Sequence, residues 1–548
     1  MTERTVVELR RRGKLMVGEP VFRPDVPLMI DRKGLGDADS GDLAVVRRGP
    51  GRARVERVLG RADAIENVLE GLLVEEGLRE GFEPHEAPEP TTEGRVDLRE
   101  LVTFTVDPET AKDFDDALSF RHEQDGTRAW VHIADVAHFV PAGSPLDRGA
   151  AERAFSTYVP GLVAPMLPHE LADDLCSLRP NVDRLTVTVE FPPQGEPRFY
   201  RSVIRSDARL TYPQAHERRA ETPVVEALEL GWAYAERLRH ARFVRGALQV
   251  ETGEVQFEFD GRGGVARAWR ESEPEAHALV EELMILANEA VASLLASRKR
   301  EALYRVHERP DPQAISLLIS KLEDLQVPTP PEPETLSPAG AASLAGAIAE
   351  RVRDYVRSSG RGTETFPSLI LRSLKQARYD TQNLGHSGLA SSAYCHFTSP
   401  IRRYPDLVCH RALLAELGDG TGAAPGDLDD LAEHSSLRER EAAQVEYLAD
   451  EICAAWLLDQ ELFELGWDHE FEGEINGVIG SGLFARFGSV FEGYVPARRL
   501  PGDYFELNTL ATALVGRRGG GTFRLGDPIR VRVEKIEKMT GKIELTAA

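Results

Sequence analysis

The sequence predicts an α+β multidomain protein in which one large mixed α/β domain lies between a small β-rich N-terminal module and a C-terminal β-barrel. Three observations carry this prediction. Both ends of the chain consist of short apolar segments broken by Gly, Pro and Asp, the pattern of strands and turns. The middle mixes strand-like runs with long stretches of helical spacing. And 548 residues, at roughly 100 to 200 per domain, call for about three to five domains.

At the N-terminus, LMV, PLMI, DLAVV and ARVERVL within residues 15–60 read as strands of a small module over 1–80. Its helix is expected at Ala62–Leu78, where Ile65, Val68, Leu69, Leu72 and Leu73 share one face. The following EPHEAPEPTTEG cannot continue a helix and marks a linker over 81–98. The large domain, 99–460, opens with the strand-like TFTV. It continues with AWVHIAD and with the alternating Leu185, Val187, Val189 and Phe191. Ser272-Glu273-Pro274-Glu275 reads as a capping box ahead of Leu279, Leu283, Leu286, Ala290 and Leu294. A Pro-rich connector spans 327–340, a loop 418–430, and a helix Leu437–Leu458. After Trp467 the chain turns β-rich, and residues 468–548 have the size of an OB barrel, with aromatic residues among basic ones.

Composition excludes several classes. Hydrophobic residues at 42% and charged residues at 28% are globular values and rule out a disordered or fibrous chain. Cys176, Cys395, Cys409 and Cys453 form no CxxC pair and lack the density of a disulfide scaffold, so a reducing, cytoplasmic setting is expected. No apolar run approaches the ~20 residues of a membrane span. The net charge of -24 is unevenly spread. Residues 1–60 hold 13 basic and 9 acidic side chains, residues 477–548 hold 11 and 7, and the body between is acidic. A polyanion partner is therefore not excluded, because binding depends on a local patch.

The densest chemistry lies in Asp107-Pro-Glu-Thr-Ala-Lys-Asp113-Phe-Asp115-Asp116, four aspartates in ten residues directly after TFTV. Carboxylates so close repel one another and are stable together either fully solvated or around a cation. Hard oxygen donors suit Mg²⁺ or Mn²⁺. An EF-hand counted from Asp107 fails, since Lys112 and Leu118 stand where Gly and Glu are needed. A second constellation, HFTSPIRRYPDLVCHR, gathers His396, Ser399, Arg402, Arg403, Tyr404, His410 and Arg411. The planar guanidinium fork matches phosphate oxygens, although, taken alone, an Arg pair bonded to acidic side chains is the more ordinary reading. Acidic metal ligands and phosphate-gripping arginines together are what phosphodiester hydrolysis requires. Tyr158, Tyr394 and Phe397 are candidate stacking rings, whereas His132 and His386 read as structural. No nucleotide-triphosphate or serine-hydrolase motif stands out.

Taken together, DPETAKDFDDALSF, HIADVAHFV, RAFSTYVPGLVAPMLPHELADDLCSL, LVEELMILAN, LYRVHERPD and YCHFTSPIRRYPDLVCHR resemble the ribonuclease II and ribonuclease R exoribonucleases with an RNB catalytic domain, in order across residues 99–460. The segment from about 470 is similar to their closing OB-fold RNA-binding domain. The resemblance implies a processive 3′-to-5′ hydrolase of single-stranded RNA that releases nucleoside 5′-monophosphates with two Mg²⁺ ions, Mn²⁺ being a substitute. It implies Asp107, Asp113 and Asp116 as metal ligands, Asp115, Arg402 and Glu446 as catalytic residues, and Tyr158, Arg403 and Tyr394 as RNA contacts. The family usually has Glu-Arg where this chain has Glu446-Tyr447. The N-terminus departs from the family too. Two cold-shock OB domains do not fit ahead of residue 99, so one module is expected, either an OB remnant or a winged helix. The expected partner is the 3′ end of single-stranded RNA, with no membrane and no obligate protein partner, the protein acting as a monomer. The rival expectation is an inactive RNA-binding regulator, disfavoured by the intact aspartates and Arg402.

Overall fold

The computed structural model describes residues 4–31, 34–49, 51–250, 253–271, 274–419, 427–488 and 490–548. The N-terminal module is a five-stranded antiparallel sheet in the order Leu28–Met29, Leu15–Pro20, Arg4–Arg12, Asp42–Arg47, Arg54–Arg61. A parallel bridge between Ile30 and Ala53 draws its edges together. One helix, Ile65–Glu75, follows with its expected apolar face buried. Five strands before a single helix make this the β-rich module expected at the N-terminus. The first strand is absent from the sequence reading. Its Glu8 and Arg10 to Arg12 disguise it, yet Val6, Val7 and Leu9 are fully buried. Glu75 fastens helix to strand, accepting the Val6 N–H at 2.6 Å.

The central domain is built on a seven-stranded mixed sheet. Its order is Ala208–Thr211, Phe104–Asp107, Asp116–Glu123, Gly126–Ala134, Asp183–Phe191, Arg198–Arg205, Val96–Asp97. The alternation expected of Leu185 to Phe191 marks only half of what is buried there. Thr186, Thr188 and Glu190 are buried as well, because both faces of the strand are covered. The two threonine hydroxyls bond Ser202 at 2.6 Å each, which satisfies them without water. His132 is structural, as expected: its ring nitrogens meet Ser119 at 3.0 Å and Thr188 at 2.9 Å. The helix Pro274–Ser297 lies where the capping signal anticipated it, with Leu279 and Leu283 buried, while Ser272 and Glu273 fall outside the described residues.

Helix Leu428–Leu465 joins the parts. It is 38 residues long, longer at both ends than the expected 437–458, and its first turns take residues 428–430 from the expected loop, of which 420–426 lie outside the described residues. Asp427 caps it, accepting the Asp429 N–H at 2.8 Å. Leu431, Ala432, Ser435 and Ser436 then continue a buried face that the polar sequence between them conceals. The helix packs on the N-terminal helix, on the hairpin of Glu254–Phe259 and Val265–Glu271, and on the C-terminal barrel. That barrel closes in the order Glu470–Ile479, Gly482–Phe487, Phe491–Pro496, Lys542–Ala547, Pro528–Glu537. Gly541 sits against the long helix with φ +68°, and a Cβ there would lie 2.6 Å from the Cβ of Glu451. Arg361 spans the other side of the barrel, donating to Leu325 O at 2.7 Å and to Asp527 Oδ1 at 3.0 Å. All four cysteines are free and buried, and no helix among the described residues is long and apolar enough to cross a membrane.

Candidate active site

The aspartate loop follows the central strand Phe104–Asp107 and runs to Asp116, which opens the next strand. Such crowding of carboxylates needs an external frame, and distant residues supply it. Ser177 accepts the Phe114 N–H at 3.1 Å and donates to Lys112 O at 2.7 Å. Arg209, on the strand parallel to Phe104–Asp107, donates to the carbonyls of Pro108 and Glu109. Neither residue was singled out from the sequence, because each lies far along the chain from the aspartates it frames, although Ser177 falls within the quoted RAFSTYVPGLVAPMLPHELADDLCSL.

The loop holds its charges in an environment that disfavours them. Burial raises Asp107 to about 6, with Asp113 adding repulsion and Arg209 and Arg402 opposing. Burial and then the Asp107 charge push Asp116 up to about 7. Burial lifts Asp115 well above the carboxylate range, and it is only 4% exposed. Oδ2 of Asp107 and Oδ2 of Asp115 are buried without a hydrogen-bond partner. Among the described residues no group of three or more His, Cys, Asp or Glu side chains is placed to hold a metal ion as the side chains stand. Asp107 and Asp115 nevertheless offer buried oxygens without a hydrogen bond and with raised proton affinity. That fits a hard divalent cation, which needs only one or two carboxylates and keeps other positions for water and phosphate oxygens.

The arginine loop meets the aspartates through its backbone. Ile401 N–H donates to Asp115 Oδ1 at 2.9 Å, and Arg402 Nε lies 3.5 Å from Asp115 Oδ2. Arg402 is otherwise open, its side chain 46% exposed, and Nη2 reaches Ser399 Oγ at 3.2 Å. The same loop is joined to the strand Thr157–Val159 by Ser156 N to Arg402 O at 3.0 Å and Tyr404 N to Ala154 O at 2.8 Å. Tyr158 is held at both ends. Its N–H donates to Glu446 at 2.8 Å and its hydroxyl to Asp113 Oδ2 at 2.5 Å.

Seven of the residues predicted from sequence thus form one group: Asp107, Asp113, Asp115, Asp116, Tyr158, Arg402 and Glu446. The other two lie behind it. Arg403 is bound to Asp406 at 2.8 Å. Tyr394 is buried between His386 and His396, its hydroxyl accepting from Asn288 at 3.1 Å. Asp450, unremarked in the sequence, sits one helical turn beyond Glu446. Burial, with Glu446 and Glu254 nearby, raises it to about 7. The Glu-x-x-x-Asp spacing on one helix face is the signal that could have found it.

The chain is similar to known proteins over most of its length. Residues 95–419 match the RNB domain family. Ribonuclease R of Escherichia coli is 37% identical over 487 residues, covering 84% of this chain and 58% of that protein, so the chain spans little more than half the length of that relative. Ribonuclease R of Aquifex aeolicus is 32% identical over 589 residues, covering 99% of this chain and 81% of that protein. The structure of Mycoplasma genitalium RNase R in complex with ribose methylated single-stranded RNA superposes with a TM-score of 0.88 at 25% identity, covering 100% of this chain and 89% of that one. With the fold, the aspartate loop and this extent of similarity in agreement, the chain belongs to the RNB family.

Proposed function

We propose that the protein is a processive 3′-to-5′ exoribonuclease that hydrolyses single-stranded RNA to nucleoside 5′-monophosphates. The observation that carries this reading is the double anchoring of Tyr158, which sets one aromatic ring between the aspartate loop and Arg402. A ring so fixed stacks on a base without regard to its identity, for about 1 to 3 kcal/mol, and so presents the adjoining phosphate at one point. Similarity to the ribonuclease R relatives supports the reading.

The roles follow from the contacts. Arg402, exposed yet aimed by Ser399 and Asp115, neutralises charge developing on the phosphate oxygens. Oδ2 of Asp115 makes no hydrogen bond, and its raised proton affinity would suit it to take a proton from an attacking water. Glu446 keeps Tyr158 in place through the backbone. We assign Asp107, Asp113 and Asp116 to two Mg²⁺ ions, with Mn²⁺ as a substitute. Bound there, divalent cations supply charge neutralisation and acidify water. Arg403 and Tyr394 shape the wall behind the RNA end. We assign residues 1–80 and 468–548 as RNA-guiding modules about a catalytic domain that takes Val96–Asp97 from the expected 81–98 linker into its sheet and runs past residue 460 to the end of helix Leu428–Leu465, in a cytoplasmic monomer.

The test is incubation of 5′-labelled single-stranded RNA with Mg²⁺. The reading expects progressive shortening from the 3′ end that stops with EDTA. RNA that is bound but stays whole with Mg²⁺ and with Mn²⁺ would overturn it in favour of an RNA-binding protein.

A further inference from the structure

We propose that Asp406 is a positioning residue that aims Arg402, an inference that rests on the exoribonuclease reading above. Asp406 lies in the first turn of helix Tyr404–Glu416 and is fully buried. Its Oδ1 accepts two hydrogen bonds, from Ser399 N–H at 2.8 Å and from Arg403 Nη2 at 2.8 Å. One carboxylate oxygen thereby fixes both ends of the Ser399–Arg403 turn, which is closed by Arg403 N to Ser399 O at 2.9 Å.

What hangs from that turn is the chemistry. Ser399, held by its N–H, offers Oγ to Arg402. Ile401, held between the same two ends, gives its N–H to Asp115. Nearly half of the Arg402 side chain is exposed, so its polar contacts bear strongly on its direction. Its direction is set by Ser399 and Asp115, and through Ser399 by Asp406.

A purely stabilising role accounts less well for the arrangement. Asp406 Oδ2 and Arg403 Nε are both buried without a hydrogen-bond partner, so the pair carries two unsatisfied polar atoms at its centre. Each such atom costs stability. The geometry serves the Oδ1 junction rather than a complete ion pair.

The experiment compares kcat and KM on single-stranded RNA for the wild-type chain, Asp406→Ala, Arg402→Ala and the double variant, with folding checked by circular dichroism. Asp406→Ala, which removes the oxygen shared by Ser399 and Arg403, is expected to lower kcat about 100-fold while KM stays within about 3-fold, as for an interaction made only in the transition state. In the Arg402→Ala background the same change is expected to cost less than about 3-fold, because the group through which it acts is gone. An equal loss in both backgrounds, or a rise in KM at unchanged kcat, overturns the proposal. Should Asp406→Ala not fold, Ser399→Ala decides. It keeps the backbone bond to Asp406 but removes the oxygen that holds Arg402, and an unchanged kcat there refutes the relay. A wild-type chain that leaves RNA whole removes the exoribonuclease reading itself, and this inference with it.

Discussion

Mg²⁺ binding is expected to expel protons near neutral pH, and the number is fixed by the aspartate loop. Asp107 and Asp116 stand at about 6 and about 7, against an ordinary 3.8. At about pH 6, Asp107 is therefore about half protonated and Asp116 about nine-tenths protonated, the two sites sharing their protons. A cation that requires both carboxylates ionised then displaces about 1.4 protons, and at about pH 8.5 almost none. Isothermal titration calorimetry of Mg²⁺ in two buffers of different ionisation enthalpy reads the number directly. The fold responds with the same sign. A raised folded-state pKa means that the metal-free protein holds more protons than the unfolded chain, so stability present below about pH 4 is lost as pH rises through about 6 to 7. At about 1.4 kcal/mol per pH unit, Asp107 alone accounts for a loss of up to about 3 kcal/mol, which saturating Mg²⁺ should cancel. Proton release that is zero near pH 6, or that persists undiminished in Asp107→Asn with Asp116→Asn, would refute the reasoning.

Other outcomes follow from single contacts. Asp115→Asn should leave the affinity for single-stranded RNA within about 3-fold, measured by fluorescence anisotropy, while abolishing turnover, because the side chain is buried against Ile401 and Arg402 and offers the strand almost no surface. Tyr158→Ala should weaken binding of a short RNA by about 5- to 150-fold, the range for one lost stacking platform. Tyr158→Phe should keep most of that affinity yet lower kcat, since the Asp113 bond at 2.5 Å is lost and the ring is not. Gly541→Ala should lower the melting temperature and open the barrel junction to limited proteolysis, because its Cβ meets the backbone of Glu451 and Ile452.

The sequence disclosed those features whose chemistry is local. Four aspartates in ten residues and the Arg402–Arg403 pair stand out on charge alone, and the N-terminal helix stands out through Ile65 to Leu73. What it hid depends on partners distant in sequence. The frame of the aspartate loop comes from Ser177 and Arg209, which look ordinary until the sheet sets them beside it. Strand Arg4–Arg12 was obscured because it is covered on both faces, so apolar Val6 and Val7 adjoin instead of alternating. Tyr394 and Arg403 carry the right chemistry for RNA contact, but sequence holds no measure of depth, and the fold puts one among buried rings and pairs the other with Asp406.

The anchoring of Tyr158 bears on how the chain can be divided. Its hydroxyl is held from residue 113, but its backbone N–H is held from residue 446, beyond the 419 at which the family match ends. The boundary drawn by similarity and the boundary drawn by the chemistry therefore differ by part of a helix. A graft that stops at 419 would transplant every aspartate and both arginines with a tyrosine fastened at one end only. The smallest transferable unit reaches at least to Glu446 on helix Leu428–Leu465, and that helix brings with it the surface on which the barrel rests.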